Sequence, residues 1–408
     1  MLAVKGPALR MIDGYAWETE NVGLRFDPGG MMMADSSRLA RVTLNVFDSD
    51  VHPYPRSAQE MIPYTPEPWR SREYGDFEAA SKVALQIYPS PHGHGARMDA
   101  VPPDGSPAAS DPDFTARQLF ERAGVDYAML IPLGPRPHVN QERELAACIA
   151  CNDWMADTWL SKFNANDVYR GTLRVPSSDP VLATKELQRW VGHPKFLQVM
   201  LDPGTQIPYG HPSWHPFFEV CAKSNLVVGF HPIKGAGQRF LTPVGFPTYF
   251  MDQHSQWGHN CAAQLASLVF EGVFDKYPEL KVAMVEGGVT WVLPMLWRMD
   301  KYWAELKSEV PWVKRRPSEH VREHCRFTTQ PFEDPGRLDH LESILDWIEQ
   351  DQFFMFATDY PHWDAEDPQW IVRHVPTRYR DGILRDNALA WYGLPRKSAG
   401  GVLARAAR

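Results

Sequence analysis

From about residue 42 onward the chain alternates eight times between a short apolar run and a longer segment of helical pattern. The runs occupy 42–47, 125–131, 169–175, 196–201, 226–231, 280–286, 325–330 and 353–359. Runs that are apolar along most of their length suit strands buried on both faces, the condition of a parallel sheet covered by helices. Eight strand-then-helix units are enough to close such a sheet on itself. An open doubly wound sheet is the alternative, but no glycine-rich phosphate loop follows any run, and Gly235-Ala236-Gly237 lacks the third glycine of a dinucleotide fingerprint. The expectation is therefore an α/β chain folded as a (β/α)8 TIM-type barrel over 41–395. A Pro- and Gly-rich stretch at about 53–113 reads as a long insertion after the first strand. Residues 1–40 read as an N-terminal arm or leader, and 396–408 as a C-terminal tail.

Composition narrows the partners. Lys and Arg number 42 against 50 Asp and Glu, a formal charge of −8, with no basic block to meet a nucleic-acid backbone or an anionic membrane surface. A small molecule is the expected partner. The sequence has no apolar run of 18 residues and no charged-then-apolar leader. Five cysteines form no regular framework, which suits reduced thiols in the cytoplasm. Cys148 and Cys151 have the spacing of a redox pair but fall inside a helical pattern, where they read as small buried residues.

In a closed barrel every strand ends on the same face, so residues far apart in sequence converge there. The strand ends carry Asp50 and His52 (first), Arg174 (third), His231 (fifth), Glu286 (sixth), and Asp359 with His362 (eighth). Imidazole nitrogen and carboxylate oxygen together suit a borderline divalent ion such as zinc, manganese or iron. Asp50 and His52, two apart, lie on one side of an extended strand and can reach one ion. Arg174 reads as a clamp for a substrate carboxylate, and His254 and Trp363, in loops at the same end, as substrate-binding residues.

Several motifs acquire a family meaning in this order. They are Asp50-Val51-His52, Phe230-His231-Pro232, the passage from Tyr277-Pro278 to Glu286-Gly287-Gly288, Ala357-Thr358-Asp359-Tyr360-Pro361-His362, and Asn387-Ala388 before Trp391-Tyr392. As a set they resemble the amidohydrolase superfamily, in the branch named for aminocarboxymuconate-semialdehyde decarboxylase. That resemblance implies Asp50, His52, His231 and Asp359 as metal ligands, Asp359 also in proton transfer, and a homodimer. It further implies a single ion, zinc first with manganese or iron as alternatives, because no lysine ends the fourth strand, where Met200-Leu201-Asp202-Pro203 stands. One position departs from the branch: Glu286 stands where its decarboxylases usually have a histidine. An ionised carboxylate can only accept hydrogen bonds. Glu286 is then a catalytic base, an extra ligand, or a structural partner of Arg174.

Two reactions follow as expectations. The first is hydrolysis of a small carbonyl-containing aromatic or carboxylate substrate by metal-activated water, with Asp359 and Glu286 moving the proton. The second is non-oxidative decarboxylation of a hydroxylated aromatic or muconate-type acid. A degenerate barrel serving as a binding scaffold is the third reading, and the complete donor set argues against it.

Overall fold

The computed structural model describes residues 44–72, 95–135, 138, 140–205, 207–232, 249–333, 335, 337–349 and 351–397. The expected arm over 1–40, most of the expected tail, the middle of the insertion and Gly235-Ala236-Gly237 lie outside them.

Eight parallel strands stand in sequence order around one sheet. They are β1 Val46–Val51, β2 Val125–Leu130, β3 Tyr169–Arg174, β4 Phe196–Leu201, β5 Val227–Phe230, β6 Val282–Met284, β7 Cys325–Thr328 and β8 Phe354–Met355. Each strand pairs with its successor. The last seam closes through β1 and the chain just beyond β8. Ser49 N–H donates to Phe356 O at 2.9 Å, Asp359 N–H to Asp50 O at 3.1 Å and His52 N–H to Tyr360 O at 2.8 Å. The fold is thus the expected (β/α)8 barrel.

Burial on both faces explains the apolar runs. Phe47, Tyr127, Met129, Met200, Val227, Ala283 and Met355 pack in one cluster with Tyr392, and the larger cluster holds alternate strand residues such as Val46, Ala128, Val199 and Val228 together with helix residues. Tyr392, from the helix Asn387–Tyr392, stacks on Phe47 with centroids 5.4 Å apart and donates to Gln198 Oε1 at 2.7 Å, so the C-terminal helix seals the strand starts. The outer helices begin where the sequence supplies caps: Asp179 accepts from the amides of Val181 and Leu182 ahead of Pro180–Trp190, and Asn140 from that of Arg143 ahead of Gln141–Trp154. Cys148 and Cys151 are free and buried on the second of these helices, as the helical pattern implies.

One strand boundary differs. The sequence pattern puts the first strand at 42–47, with Asp48 to Asp50 beyond its end; β1 instead begins at Val46 and contains all three. Polar residues hide a strand when they face a polar barrel mouth, because the alternation then carries no apolar signal. No helix among the described residues is long and apolar enough to cross a membrane.

Candidate active site

The ends of β1, β5, β6 and β8 bring six polar side chains together, each at most 2% exposed: Asp50, His52, His231, Glu286, Asp359 and His362. The orientation of the imidazoles decides what the group can do. His52 donates its Nδ1–H to the carbonyl of Ile131 at 2.8 Å, just past β2. His231 donates its Nδ1–H to the carbonyl of Pro232 at 2.7 Å. A carbonyl only accepts, so in both neutral rings Nε2 carries a bare lone pair. These bare nitrogens face carboxylates: His52 Nε2 lies 2.7 Å from Asp359 Oδ1 and 3.2 Å from Asp50 Oδ1. His231 Nε2 lies 3.4 Å from Asp50 Oδ2 and 3.2 Å from Glu286 Oε2.

Lone pairs aimed at anionic oxygens inside a protein repel unless a cation or proton sits among them. The donor atoms of Asp50, His52 and His231 lie within 4.8 Å of one another, as do those of His52, Asp359 and His362. Both oxygens of Asp50, Oδ2 of Asp359 and Nε2 of His231 have no hydrogen-bond partner among the described residues. Buried polar atoms are ordinarily satisfied. Two imidazoles and two carboxylates in this state fit one borderline divalent ion, and each imidazole is oriented by a carbonyl on its far nitrogen, the usual support for a metal-ligating histidine.

The electrostatics agree. Burial pushes the Asp50 carboxyl up to about 8, with Asp359 adding to the rise and His52 opposing it. Burial pushes His231 down to about 4, which keeps the ring neutral and its nitrogen free to ligate. Asp359 is also raised by burial, but the His362 and His52 imidazoles outweigh that and hold its carboxyl well below the usual range.

Backbone strain gathers at the same place. Asp359 has φ 59° and Glu286 φ 54°, left-handed conformations that cost non-glycine residues on the order of 1–3 kcal/mol. Glu286 is held there by its amide donating to Thr328 Oγ1 at 3.1 Å. The turn that follows needs Gly288, at φ 71°, because a Cβ there would overlap the Glu333 carboxylate. That carboxylate accepts from the amides of Val289 (2.9 Å) and Thr290 (3.2 Å), just ahead of the helix Val292–Leu306.

Arg174, at the end of β3, is buried; its Nη2 donates to Pro135 O at 2.7 Å, and its Nε and Nη1 have no hydrogen-bond partner among the described residues. Its charge helps lower the His231 pKa, so it acts within the same mouth. His254 and Trp363 belong to neither group of metal-capable side chains. His254 ends the short helix Phe250–His254 and pairs with Asp364 at 3.2 Å, its ring 4.1 Å from that of Trp257. Trp363 is half exposed and donates its amide to Gly95 O at 2.6 Å. Arg97 N–H donates to Pro361 O at 2.8 Å, so the far end of the insertion lies along the loop after β8.

Asp48 and Thr358 escape the strand-end logic, and His362 was named at the end of the eighth strand without a role. It donates Nδ1–H to Asp359 Oδ1 at 2.7 Å. Asp48 and Thr358 join β1 to the loop after β8. The signal for Asp48 was present: Asp48, Asp50 and His52 share one two-residue spacing.

Known proteins carry this arrangement further. Gamma-resorcylate decarboxylase from Rhizobium sp. is 26% identical over 259 residues, covering 60% of this chain and 76% of that protein. The enzyme of the same name from Rhodococcus jostii is 25% identical over 297 residues, covering 68% and 87%. Among solved structures, 5-carboxyvanillate decarboxylase from Sphingomonas paucimobilis aligns with a TM-score of 0.65 at 20% identity, over 86% of this chain and 100% of that one. A dihydroxybenzoic acid decarboxylase from Polaromonas sp., solved with manganese and an inhibitor, aligns at 0.57 and 18% identity, over 86% and 98%. These two structures are likenesses of fold.

The curated relatives overturn hydrolysis as the leading expectation, since a decarboxylase breaks a carbon–carbon bond and takes up no water. The donor set alone does not separate the two, because an ion and a carboxylate that activate water equally suit binding a substrate carboxylate and moving a proton to carbon. The amidohydrolase family profile matches residues 47–394, from β1 to just past the C-terminal helix, and this chain belongs to that family, alongside these decarboxylases.

Proposed function

We propose that this chain is a metal-dependent, non-oxidative decarboxylase of a hydroxylated aromatic acid. The observation that carries the reading is the pair of bare imidazole nitrogens, on His52 and His231, facing Asp50 and Asp359 at the barrel mouth. The decarboxylase relatives support the reaction class. Asp50, His52, His231 and Asp359 would hold one divalent ion, which would supply Lewis acidity for a substrate carboxylate and its neighbouring hydroxyl. Manganese, bound in the Polaromonas relative, suits these donors as zinc does.

The chain's own residues then account for the proton. Asp359, held by the His362 N–H, takes a proton from the substrate's phenol and returns it to the ring carbon that bears the carboxylate. The carbon–carbon bond breaks heterolytically, its electron pair restores the aromatic ring, and carbon dioxide leaves; water later reprotonates the phenolate. Glu286, against His231, accepts from a substrate hydroxyl and so acts as a second base. Arg174 offers its Nε and Nη1, which have no hydrogen-bond partner among the described residues, to an anionic group of the substrate. His254 and Trp363 border the entrance.

The test is direct. Purified protein loaded with manganese or zinc is incubated with a panel of hydroxybenzoic and dihydroxybenzoic acids, and phenol and carbon dioxide are both quantified. One carbon dioxide per phenol supports the proposal; loaded protein that turns over no member of the panel defeats it. We also propose a cytoplasmic homodimer, with residues 1–40 an N-terminal arm or leader and 396–408 a C-terminal tail. The five free, buried cysteines support the compartment, and sedimentation equilibrium tests the dimer.

A further inference from the structure

We propose that Asp48 is a positioning residue of the metal centre: through Thr358 it clamps β1 to the loop after β8 and so sets the spacing between Asp50 and Asp359. The inference rests on the metal-centre reading above.

Asp48 is fully buried within β1. Its Oδ1 accepts from the amide of Asp50 at 3.2 Å and from that of Thr358 at 2.9 Å. Its Oδ2 accepts from the Thr358 hydroxyl at 2.6 Å, a short charge-assisted bond. The Thr358 hydroxyl in turn accepts from the amide of Tyr360 at 3.0 Å. One carboxylate therefore holds Asp50 by its own amide and grips Asp359 from both neighbours, Thr358 and Tyr360.

The position of this clamp is what makes it more than a core hydrogen bond. Neighbouring strands elsewhere in the barrel are held by parallel ladders, but β8 is only two residues long and the seam to β1 is closed by irregular chain. Asp359 sits in that irregular chain with a left-handed backbone, its amide bonded to Asp50 O at 3.1 Å. Two donor residues separated by 309 positions thus depend on one seam, and Asp48 with Thr358 supplies its side-chain bonds. Asp48 belongs to neither group of metal-capable side chains, and its oxygens are occupied by N–H and O–H donors. It acts through Asp50 and Asp359, not on the ion.

The direction of the relay gives a clean test. The Thr358 hydroxyl accepts from Tyr360 and donates to Asp48, so Thr358→Val deletes the link at nearly constant volume while Thr358→Ser keeps it. Asp48→Asn places an amide where the hydroxyl needs an acceptor, or turns that amide on the two backbone N–H groups. Each purified full-length protein is stripped with chelator, and Mn2+ affinity is measured by equilibrium dialysis beside the melting temperature of the metal-free form. Asp48→Asn and Thr358→Val are expected to bind Mn2+ about 10- to 100-fold more weakly than wild type, with Thr358→Ser at wild-type affinity. If both link-breaking variants lower the metal-free melting temperature yet bind Mn2+ as wild type does, Asp48 is a structural residue only and the inference is overturned. If wild type itself takes up no Mn2+ or Zn2+, the functional reading fails and this inference falls with it. Loss of folding in Asp48→Asn leaves the Thr358→Val and Thr358→Ser pair to decide.

Discussion

His52 and Asp359, 307 residues apart in sequence, meet with Nε2 2.7 Å from Oδ1. Because the other nitrogen of His52 is committed to the Ile131 carbonyl, the contact sets a bare nitrogen against an anionic oxygen. Two acceptors at this distance are stable only around a shared cation or proton. The candidate site is organised by that requirement, and its consequences can be measured.

Metal removal should destabilise the fold. Stripping with chelator leaves the buried carboxylates and imidazoles without their counter-charge, and restoring Mn2+ at about 100 times its Kd should add roughly 2.7 kcal/mol. Calorimetry with and without ion reads this difference, and His231→Ala, which deletes a donor from the Asp50, His52 and His231 group, should abolish it. A melting temperature indifferent to chelator and to added ion would contradict the site.

The two carboxylates proposed to move protons should affect kcat more than KM. Asp359→Asn and Glu286→Gln conserve shape but remove the base, and a drop of about 10²- to 10⁴-fold in kcat is expected for Asp359, with the lower end for Glu286. Metal content measured on the same samples separates lost chemistry from lost ion. Glu286→Gln with unchanged kcat would reduce Glu286 to a structural neighbour of His231.

Arg174 should act on KM. Its Nε and Nη1 have no hydrogen-bond partner among the described residues, so a bound anion gains charge-assisted bonds worth about 1.5–3 kcal/mol. Arg174→Met should therefore raise KM by roughly 10- to 100-fold with kcat little changed. Since the variant also removes buried unpaired N–H groups, its melting temperature should hold or rise. An unchanged KM would show that the guanidinium never meets substrate.

Acid sensitivity should come in part from outside the site. His320 and His324, buried along the helix Pro317–His324, have pKa values lowered by burial from 6.5. His320 faces Asp275 at 3.1 Å and Arg315 at 3.3 Å, while His324 donates to Leu280 O at 2.9 Å with Glu323 at 4.0 Å. Below pH 6.5 the unfolded chain binds protons that these folded rings refuse. Stability present above pH 6.5 is then lost as the pH falls towards the folded values, by up to about 1.4 kcal/mol per pH unit for each ring. Urea midpoints of the metal-free protein between pH 7.5 and 5 should fall less steeply in His320→Gln/His324→Gln than in wild type; parallel slopes would refute the assignment.

Much of this molecule was legible before folding was considered. Strand β4 matches its apolar run residue for residue, and β2 and β3 fall one residue short of theirs, because buried parallel strands declare themselves by local composition. Listing strand ends named Asp50, His52, His231 and Asp359 as candidate donors, and the barrel brings these side chains together because it gathers strand ends on one face. Strand β1 was placed too early because its mouth-facing half, Asp48 to Asp50, is polar. His254 entered the substrate group by its place in a mouth loop, and the structure pairs it with Asp364 at 3.2 Å. Hydrolysis was put first because Glu286 stands where decarboxylases of the branch usually have a histidine; identical ligands serve both reactions, so residue types carry no record of which bond breaks.

The sequence by itself determined the eight-fold alternation and the parallel barrel it closes into, both of which follow from local periodicity and chain order, and it named the candidate metal donors. Only the tertiary structure decided that His52 and His231 spend their N–H groups on carbonyls, that His362 grips Asp359, and that Asp48 reaches Thr358 across the closing seam. Those are contacts of 2.6–2.8 Å, and one of them spans 310 positions. The His52–Ile131 and Asp48–Thr358 bonds are set by strand register and by the path of one irregular loop, which no stretch of local sequence specifies.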